Sequence, residues 1–488
     1  MIRVDSTSCE IVAILLHEMT KTKIVCTIGP ATSSRQVLSR LAKEGMNVAR
    51  LNLSHDTTTE HVARINRIRG VAQQLRIPIG VLADLPGPKV RVGKVFPEPV
   101  TLREGSQITL TGRHIVGNQR IVSVGPASVL RGLEEGDPVF LADGTIRLVV
   151  RGTKHGDVVC RVVRSGQLSS EKGLNLPGKK LGLRALTAKD VELLRFALRH
   201  GADFLGISFT TSSDDIVRAK RIVREMGRQT WVIAKIETRQ AVENLGEIVE
   251  NADGVMVARG DLGTEMEIED VPMLQKKIIE KTNSAGKPVI TATQMLESMV
   301  ENPTPTRAEV TDIANAIFDG TDAVMLSEET AVGRYPVEAV KVMRRVAAAA
   351  ERNLSYRSLL DSRRALINGI VQDSISFSAC EVAYDLGAAC IVAHTRTGIT
   401  AHRVSKFRSS VPIIALTYNI PVMNRLSLLW GVYPYKVRRL TTTAEIFSAA
   451  KTAALNSGVV HKGGKFVVVC GDPSTPSGTT DLLRVQTI

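Results

Sequence analysis

Trp231–Leu262 reads WVIAKIETRQAVENLGEIVENADGVMVARGDL. Two short apolar, β-branched runs, Trp231–Glu237 (WVIAKIE) and Gly254–Leu262 (GVMVARGDL), flank a more polar segment long enough for a helix. That alternation is the signature of a parallel βα unit. It recurs outward in both directions. Upstream lie Lys23–Gly29 (KIVCTIG), Asn47–Ser54 (NVARLNLS), Ile79–Leu85 (IGVLADL) and Phe204–Phe209 (FLGISF); downstream lie Pro288–Gln294 (PVITATQ) and Ala323–Glu329 (AVMLSEE). Segments with helical periodicity, such as Gln36–Glu44, Asp190–Leu198 and Ala308–Phe318, separate most of them. Eight strands alternating with helices predict a closed (β/α)₈ barrel.

Strand starts fall 23 to 35 residues apart except between Ile79 and Phe204, where the gap is 125. Its interior, Pro88–Leu181, carries the β-like runs SQITL, RIVSV, PVFLA, IRLVV and VVCRVV between Gly and Asp turns. It reads as a small β-barrel inserted after the third strand. Past Asn353 a further α/β segment begins, with strands expected at Cys390–His394, Pro412–Leu416, Val432–Lys436 and Lys465–Cys470. The expected division is a barrel of 19–87 and 182–353, an inserted β lid of 88–181 and a C-terminal α/β regulatory domain of 354–488. Residues 1–18 are an extension that fits none of these, and Met19 is an alternative start.

Composition narrows the class. At 43% hydrophobic and 23% charged, the chain is globular in character. Its longest early apolar run, Ile11–Leu16, is far short of a membrane span and has no small-residue cleavage site after it, so neither span nor signal peptide is expected. Six scattered cysteines (Cys9, Cys26, Cys160, Cys380, Cys390, Cys470) form no CxxC pair and suit reduced core positions in a cytoplasmic protein. The net charge of +14 suggests a polyanion partner, but its distribution argues otherwise: +7 lies in 88–181, +8 in 354–488 and −1 in the remainder. With 4% aromatic residues and no RNP-like, KH or zinc motif, nucleic-acid binding is not expected. Small phosphorylated ligands fit the placement better.

Barrel enzymes draw their reacting groups from the C-terminal strand ends. Here those ends supply Arg50, Asn52, Ser54 and His55, then Asp84, then Ser208 and Phe209, then Lys235 and Glu237. Arg259 and Asp261, Thr293 and Gln294, and Ser327 and Glu329 follow. Residues two apart on a strand share a face, so Lys235 should point with Glu237, Arg259 with Asp261 and Arg50 with Asn52. Glu237 and Asp261 make a site for a hard divalent cation, Mg²⁺ or Mn²⁺. Carboxylates, metal and fixed cations together are the equipment of phosphoryl transfer. Salt bridges closing the barrel rim are the alternative reading. Lys172, beside Gly173 where the insert returns to the barrel, suits a lid that closes over phosphates.

These motifs resemble the pyruvate kinase family from about Thr22 to the C-terminus. The resemblance is carried by TKIVCTIGPA (Thr22–Ala31), GMNVARLNLSHD (Gly45–Asp56), KGLNLPG (Lys172–Gly178) and AKIET (Ala234–Thr238). It continues through DGVMVARGDLG (Asp253–Gly263), GKPVITATQMLESM (Gly286–Met299) and PTRAEVTDIANAIFDGTDAVMLSEETA (Pro305–Ala331). It implies transfer of the phosphoryl group of phosphoenolpyruvate to ADP, with Glu237 and Asp261 holding the divalent cation. Lys235 and Arg50 would act on the phosphoryl group, and backbone N–H groups near Gly260 and Asp261 would hold the substrate carboxylate. Thr293 and Ser327 would lie on the enolpyruvate side, Glu329 in the same wall, and Asn52, His55, Arg91 and Lys172 toward the nucleotide phosphates. It also implies a homotetramer. A metal-dependent lyase of the wider phosphoenolpyruvate-binding barrel group is the competing enzyme reading, and a catalytically idle regulator a third.

One departure stands out. Many members read Asp-Thr-Lys-Gly-Pro-Glu where this chain has Asp84-Leu85-Pro86-Gly87-Pro88-Lys89. The glutamate of the common form accompanies a K⁺ held by positions equivalent to Asn52, Ser54, Asp84 and the Leu85 carbonyl. Lys89 brings an ammonium there instead, and like-charge repulsion predicts that K⁺ is not required. In the C-terminal part, Thr395-Arg396-Thr397-Gly398-Ile399-Thr400 joins a strand to a helix and offers a phosphate seat. The loop Asp472–Thr480, including Ser477, Gly478 and Thr479, follows another strand. In relatives these loops form a pocket for a sugar-phosphate or nucleotide effector.

Overall fold

The computed structural model of the chain describes residues 20–142, 144–179, 182–473 and 478–488. The proposed alternative start at Met19, the extension before it and Ser477 therefore lie outside the described residues. Eight parallel strands close into a barrel in the predicted order: Lys23–Thr27, Met46–Asn52, Gly80–Asp84, Phe204–Ile207, Trp231–Ile236, Gly254–Ala258, Val289–Ala292 and Ala323–Leu326. Their burial on both faces explains the near-continuous apolar runs read in the sequence. Val25, Val48, Leu82, Phe204, Ile233, Met256, Ile290 and Met325 fill the interior, and Leu428 from the C-terminal part packs into the same cluster. The outer faces are covered by helices such as Arg35–Glu44, Thr58–Leu75 and Ala188–Arg199. Among the described residues no helix is long and apolar enough to cross a membrane.

Between the third and fourth barrel strands the chain leaves to build a largely antiparallel seven-stranded sheet. Its ends meet, because Val92 N–H donates to Lys172 O at 3.0 Å and Leu174 N–H to Val90 O at 2.9 Å. The sheet closes around its own apolar core, which includes Leu110, Val122, Val139, Ile146, Val150 and Val162. The exit passes through Gly87, at φ +67°, where an added Cβ would lie 3.0 Å from Ser208 Cβ. That position needs glycine for both conformation and space.

The C-terminal sheet holds four parallel strands, Ile391–His394, Ile413–Thr417, Val432–Lys436 and Lys465–Cys470. A fifth, Leu482–Thr487, pairs antiparallel at the edge and was missed in the sequence, where a short mixed-polarity edge strand gives no clean alternation. This part grips the opposite end of the barrel from the strand C-termini. Lys23 Nζ donates to Val432 O at 2.7 Å, and Arg408 pairs with Asp322 at 2.6 Å.

Candidate active site

The fifth strand delivers Lys235 and Glu237 to one side, as alternation demands. Lys235 Nζ lies 2.8 Å from Glu237 Oε1, 2.7 Å from Ser208 Oγ and 3.2 Å from Asp84 Oδ1. Burial works against this ammonium, but the Asp84 and Glu237 carboxylates outweigh it and hold its pKa above the usual lysine range. Arg50 reaches the same cluster: Nη2 is 2.7 Å from Asp84 Oδ2, Nε donates to the same oxygen at 2.8 Å, and Nη1 donates to Thr27 Oγ1 at 2.9 Å. Burial opposes the Asp84 carboxylate, yet Lys235 and then Arg50 keep its pKa below the ordinary value. Thr27 was absent from the sequence-based set. Reading the end of the first strand by the rule applied to the others would have found it.

Glu237 is 1% exposed, and its Oε2 accepts the Phe209 N–H at 2.7 Å. Burial pushes its pKa up, the Lys235 charge opposes this, and Asp261 adds to the rise. A buried carboxylate, Glu237, and a partly exposed one, Asp261, that repel one another form a donor set that a hard divalent ion would relieve, so these residues fit Mg²⁺. Glu265, one turn beyond Asp261, has its carboxyl pushed up to about 7 by burial, against a hydrogen bond from Asn175 and the charge of Arg239. It lines a cavity of about 260 Å³ between lid and barrel, together with Lys89, Asn175, Phe209 and Arg239.

Three expectations need correction. Arg259 and Asp261 do not share a strand face. The sixth strand stops at Ala258, and Arg259–Glu265 is a helix, where residues two apart point in nearly opposite directions. Arg259 turns away from the cavity, pairing with Asp312 at 2.6 Å and donating to Thr293 O at 2.6 Å. Lys89 does not join Asn52, Ser54 and Asp84: its ion-pair partner is Asp261, at 3.9 Å, while Asp84 faces Arg50 and Lys235. The lid hinge carries the lysine past the third-strand end toward the sixth. The Gly260 N–H, assigned to a substrate carboxylate, donates to Thr293 Oγ1 at 2.8 Å and would have to change partner.

Thr293 and Gln294 sit at the end of the seventh strand in left-handed conformations, φ +68° and +55°. Ser327 Oγ is buried with no hydrogen-bond partner among the described residues, and its backbone N–H donates to Glu329 Oε2 at 2.6 Å. Glu329 also accepts the Leu296 N–H at 3.0 Å, so it braces this wall from behind. On the lid side, His55, Arg91 and Lys172 are exposed, Arg91 donates to Glu171 O at 2.9 Å, and Asn52 Oδ1 accepts the Ser54 N–H at 3.1 Å. The Leu85 N–H is held by Gly206 O at 3.0 Å.

In the C-terminal part, the two loops singled out by sequence meet. Thr395, Arg396, Thr397, Thr400, Gly478 and Thr479 line a cavity of about 100 Å³. Gly398 N–H donates to Thr395 Oγ1 at 2.9 Å, and the Thr400 and Thr480 hydroxyls are 3.0 Å apart. Arg439 and Thr441 also line it. No local pattern marks them, because they come from a third loop.

Positive charge held by buried carboxylates at the C-terminal rim of a parallel barrel, beside a cavity bordered by the inserted β sheet, is what phosphoryl transfer asks of a protein. Fold and site place the chain among the barrel phosphotransferases. Comparison with known proteins narrows this. Residues 19–340 match the family model "Pyruvate kinase, barrel domain", and residues 373–486 match "Pyruvate kinase, alpha/beta domain". The chain is 43% identical over 471 residues to the pyruvate kinase of Geobacillus stearothermophilus, covering 96% of this chain and 80% of that protein. It is 41% identical over 473 residues to the enzyme of Staphylococcus saprophyticus, covering 96% and 81%. To that of Clostridium acetobutylicum it is 40% identical over 472 residues, covering 96% and 100%. The chain belongs to the pyruvate kinase family. Its reaction is accordingly phosphoryl transfer between phosphoenolpyruvate and ADP.

Proposed function

We propose that Arg50 and Lys235 grip the phosphoryl group of phosphoenolpyruvate and carry it to a terminal oxygen of ADP. The bond between phosphorus and the enol oxygen breaks as the new bond to ADP forms, and enolpyruvate leaves. The observation that carries this reading is the Lys235 ammonium, fixed by Asp84, Glu237 and Ser208 and kept charged by the two carboxylates. Because the carboxylates hold it before substrate arrives, little reorganisation is needed in the transition state. Glu237 and Asp261 would hold a divalent cation, Mg²⁺ or Mn²⁺, which supplies charge neutralisation for the transferring group. Thr293 and Ser327 face the enolpyruvate side, where protonation at carbon yields pyruvate and draws the reaction toward ATP. Asn52, His55, Arg91 and Lys172 take the nucleotide phosphates as the β insert, 88–181, closes over the barrel formed by 19–87 and 182–353. ADP-dependent release of pyruvate from phosphoenolpyruvate is the direct test, and its absence would return the lyase reading to the front.

K⁺ is not required. Lys89 brings an ammonium to the hinge of the insert, 3.9 Å from Asp261, and its like charge there would disfavour a monovalent cation at the mouth of the site. Exchanging K⁺ for tetramethylammonium at constant ionic strength should change kcat/KM by less than about threefold. Lys89→Glu should make activity depend on K⁺. A collapse of wild-type activity in tetramethylammonium would sink the proposal.

The C-terminal α/β domain, 354–488, serves regulation by a phosphorylated metabolite, a sugar phosphate or nucleotide, in the cavity between Thr395–Thr400 and Gly478–Thr479. Arg396 and Arg439 give the cavity cationic lining, and His394 beside them is kept neutral, its pKa lowered to about 4 by burial and by Arg396. In a coupled assay with a panel of phosphorylated metabolites, Arg439→Ala should blunt the response about tenfold while leaving basal activity intact. An identical response in the variant removes this cavity from regulation. The assembly expected from the family is a homotetramer in the cytoplasm, with sedimentation velocity the measurement of its size.

A further inference from the structure

The fourth barrel strand ends at Ile207, and the next two residues hold two groups of the transfer site at once. Ser208, 3% exposed, accepts a hydrogen bond from Lys235 Nζ at 2.7 Å. Phe209 gives its N–H to Glu237 Oε2 at 2.7 Å. Phe209 has φ +51°, a left-handed conformation that a side-chain-bearing residue rarely adopts without compensation. The Ser208 side chain and the Phe209 N–H flank one carbonyl and serve neighbouring groups, and the left-handed turn at Phe209 redirects the chain that follows. The lid hinge rests on this dipeptide, because a Cβ at Gly87 would come within 2.9 Å of Phe209 Cδ2 and 3.0 Å of Ser208 Cβ.

An ammonium has three N–H bonds. In this structure its three near oxygens are Asp84 Oδ1, Glu237 Oε1 and Ser208 Oγ, and only the last is neutral. Two carboxylates alone would draw the ammonium toward Asp84 and Glu237, away from an arriving phosphoryl group. We infer that Ser208 is a positioning residue of the transfer step: its hydroxyl offsets that pull and sets the angle at which Lys235 meets the phosphoryl group. Phe209 does the same for Glu237, and the contact with Gly87 ties both to the lid hinge. The inference rests on the assignment of Lys235 to the phosphoryl group.

Ser208→Ala removes the hydroxyl without adding volume. A lost hydrogen bond to a charged group corresponds to a fall in kcat of about 10- to 100-fold. KM for phosphoenolpyruvate and Tm should stay near the wild-type values, since Arg50 still binds the phosphate. Ser208→Thr, which keeps the hydroxyl, should restore most of the rate; Ser208→Cys, with a weaker acceptor, should not. Three outcomes overturn the inference: a Ser208→Ala kcat within about threefold of wild type, a loss confined to KM, or Ser208→Thr no faster than Ser208→Ala. If Ser208→Ala lowers Tm sharply, Ser208→Cys decides, and wild-type turnover in it overturns the inference. Failure of the underlying assignment would look different. Lys235→Met would then keep its rate, whatever Ser208 variants do.

Discussion

Lys235→Met should lower kcat by about 10³- to 10⁵-fold, the range found when a fixed cation on a transferring phosphoryl group is removed. The loss should fall on phosphoryl transfer and spare the chemistry of the enol. Exchange of the pyruvate methyl protons in D₂O, followed by NMR, should persist, because Thr293 and Ser327 follow the ends of other strands than the one that carries Lys235. The same substitution leaves Glu237 buried at 1% exposure without its cation partner, while Asp84 keeps Arg50. Breaking a buried pair on one side costs about 3–5 kcal/mol. The variant should therefore melt early without metal and recover much of the loss when Mg²⁺ or Mn²⁺ is added. Activity within tenfold of wild type would remove Lys235 from the transfer step. Loss of proton exchange together with transfer would mean that the whole site had collapsed.

Glu237→Gln should be nearly as damaging, by about 10²- to 10³-fold in kcat/KM, with a matching rise in the divalent-cation concentration needed for half-maximal rate. The amide oxygen can still accept the Phe209 N–H, and although its NH₂ then faces Lys235, that ammonium keeps Asp84 and Ser208, so the fold should hold. What it loses is the negative charge that, with Asp261, makes the site attractive to a divalent ion. Mn²⁺ binding followed by titration calorimetry separates this from simple disruption: weakened binding with an unchanged Tm is expected. Unchanged metal affinity would show that Glu237 serves Lys235 rather than the cation. This charge arrangement also clarifies the +14 of the chain. The barrel, 19–87 and 182–353, is near neutral at +1 and holds cations against carboxylates, and the excess lies in the insert and the C-terminal part, a few of whose basic residues line the two cavities.

Lys235 and Glu237 were legible as a pair because a strand has a strict period of two and the fifth strand continues through Ile236. The same reasoning failed for Arg259 and Asp261, since it depended on where the sixth strand stops. A run such as GVMVARGDL carries no local mark of a helix beginning at Arg259. Lys89 was expected beside Asn52, Ser54 and Asp84, but its ion-pair partner is Asp261, because that pairing depends on how Gly87 turns the chain. Arg439 belonged to no motif and entered the C-terminal cavity through folding alone.

The alternating apolar runs thus determined the barrel and the interrupted third βα step, because burial of hydrophobic strands and the period of the backbone act along the chain. Long quoted motifs determined the family. Tertiary structure alone decided which charges meet: that Asp84 holds Arg50 and faces Lys235, that Lys89 turns to Asp261, and that Ser208 completes the setting of the ammonium. Those pairings depend on distances of a few ångströms between groups far apart in sequence. Electrostatic interaction in a buried site is governed by such distances and by exclusion of water, and neither is written in the order of residues.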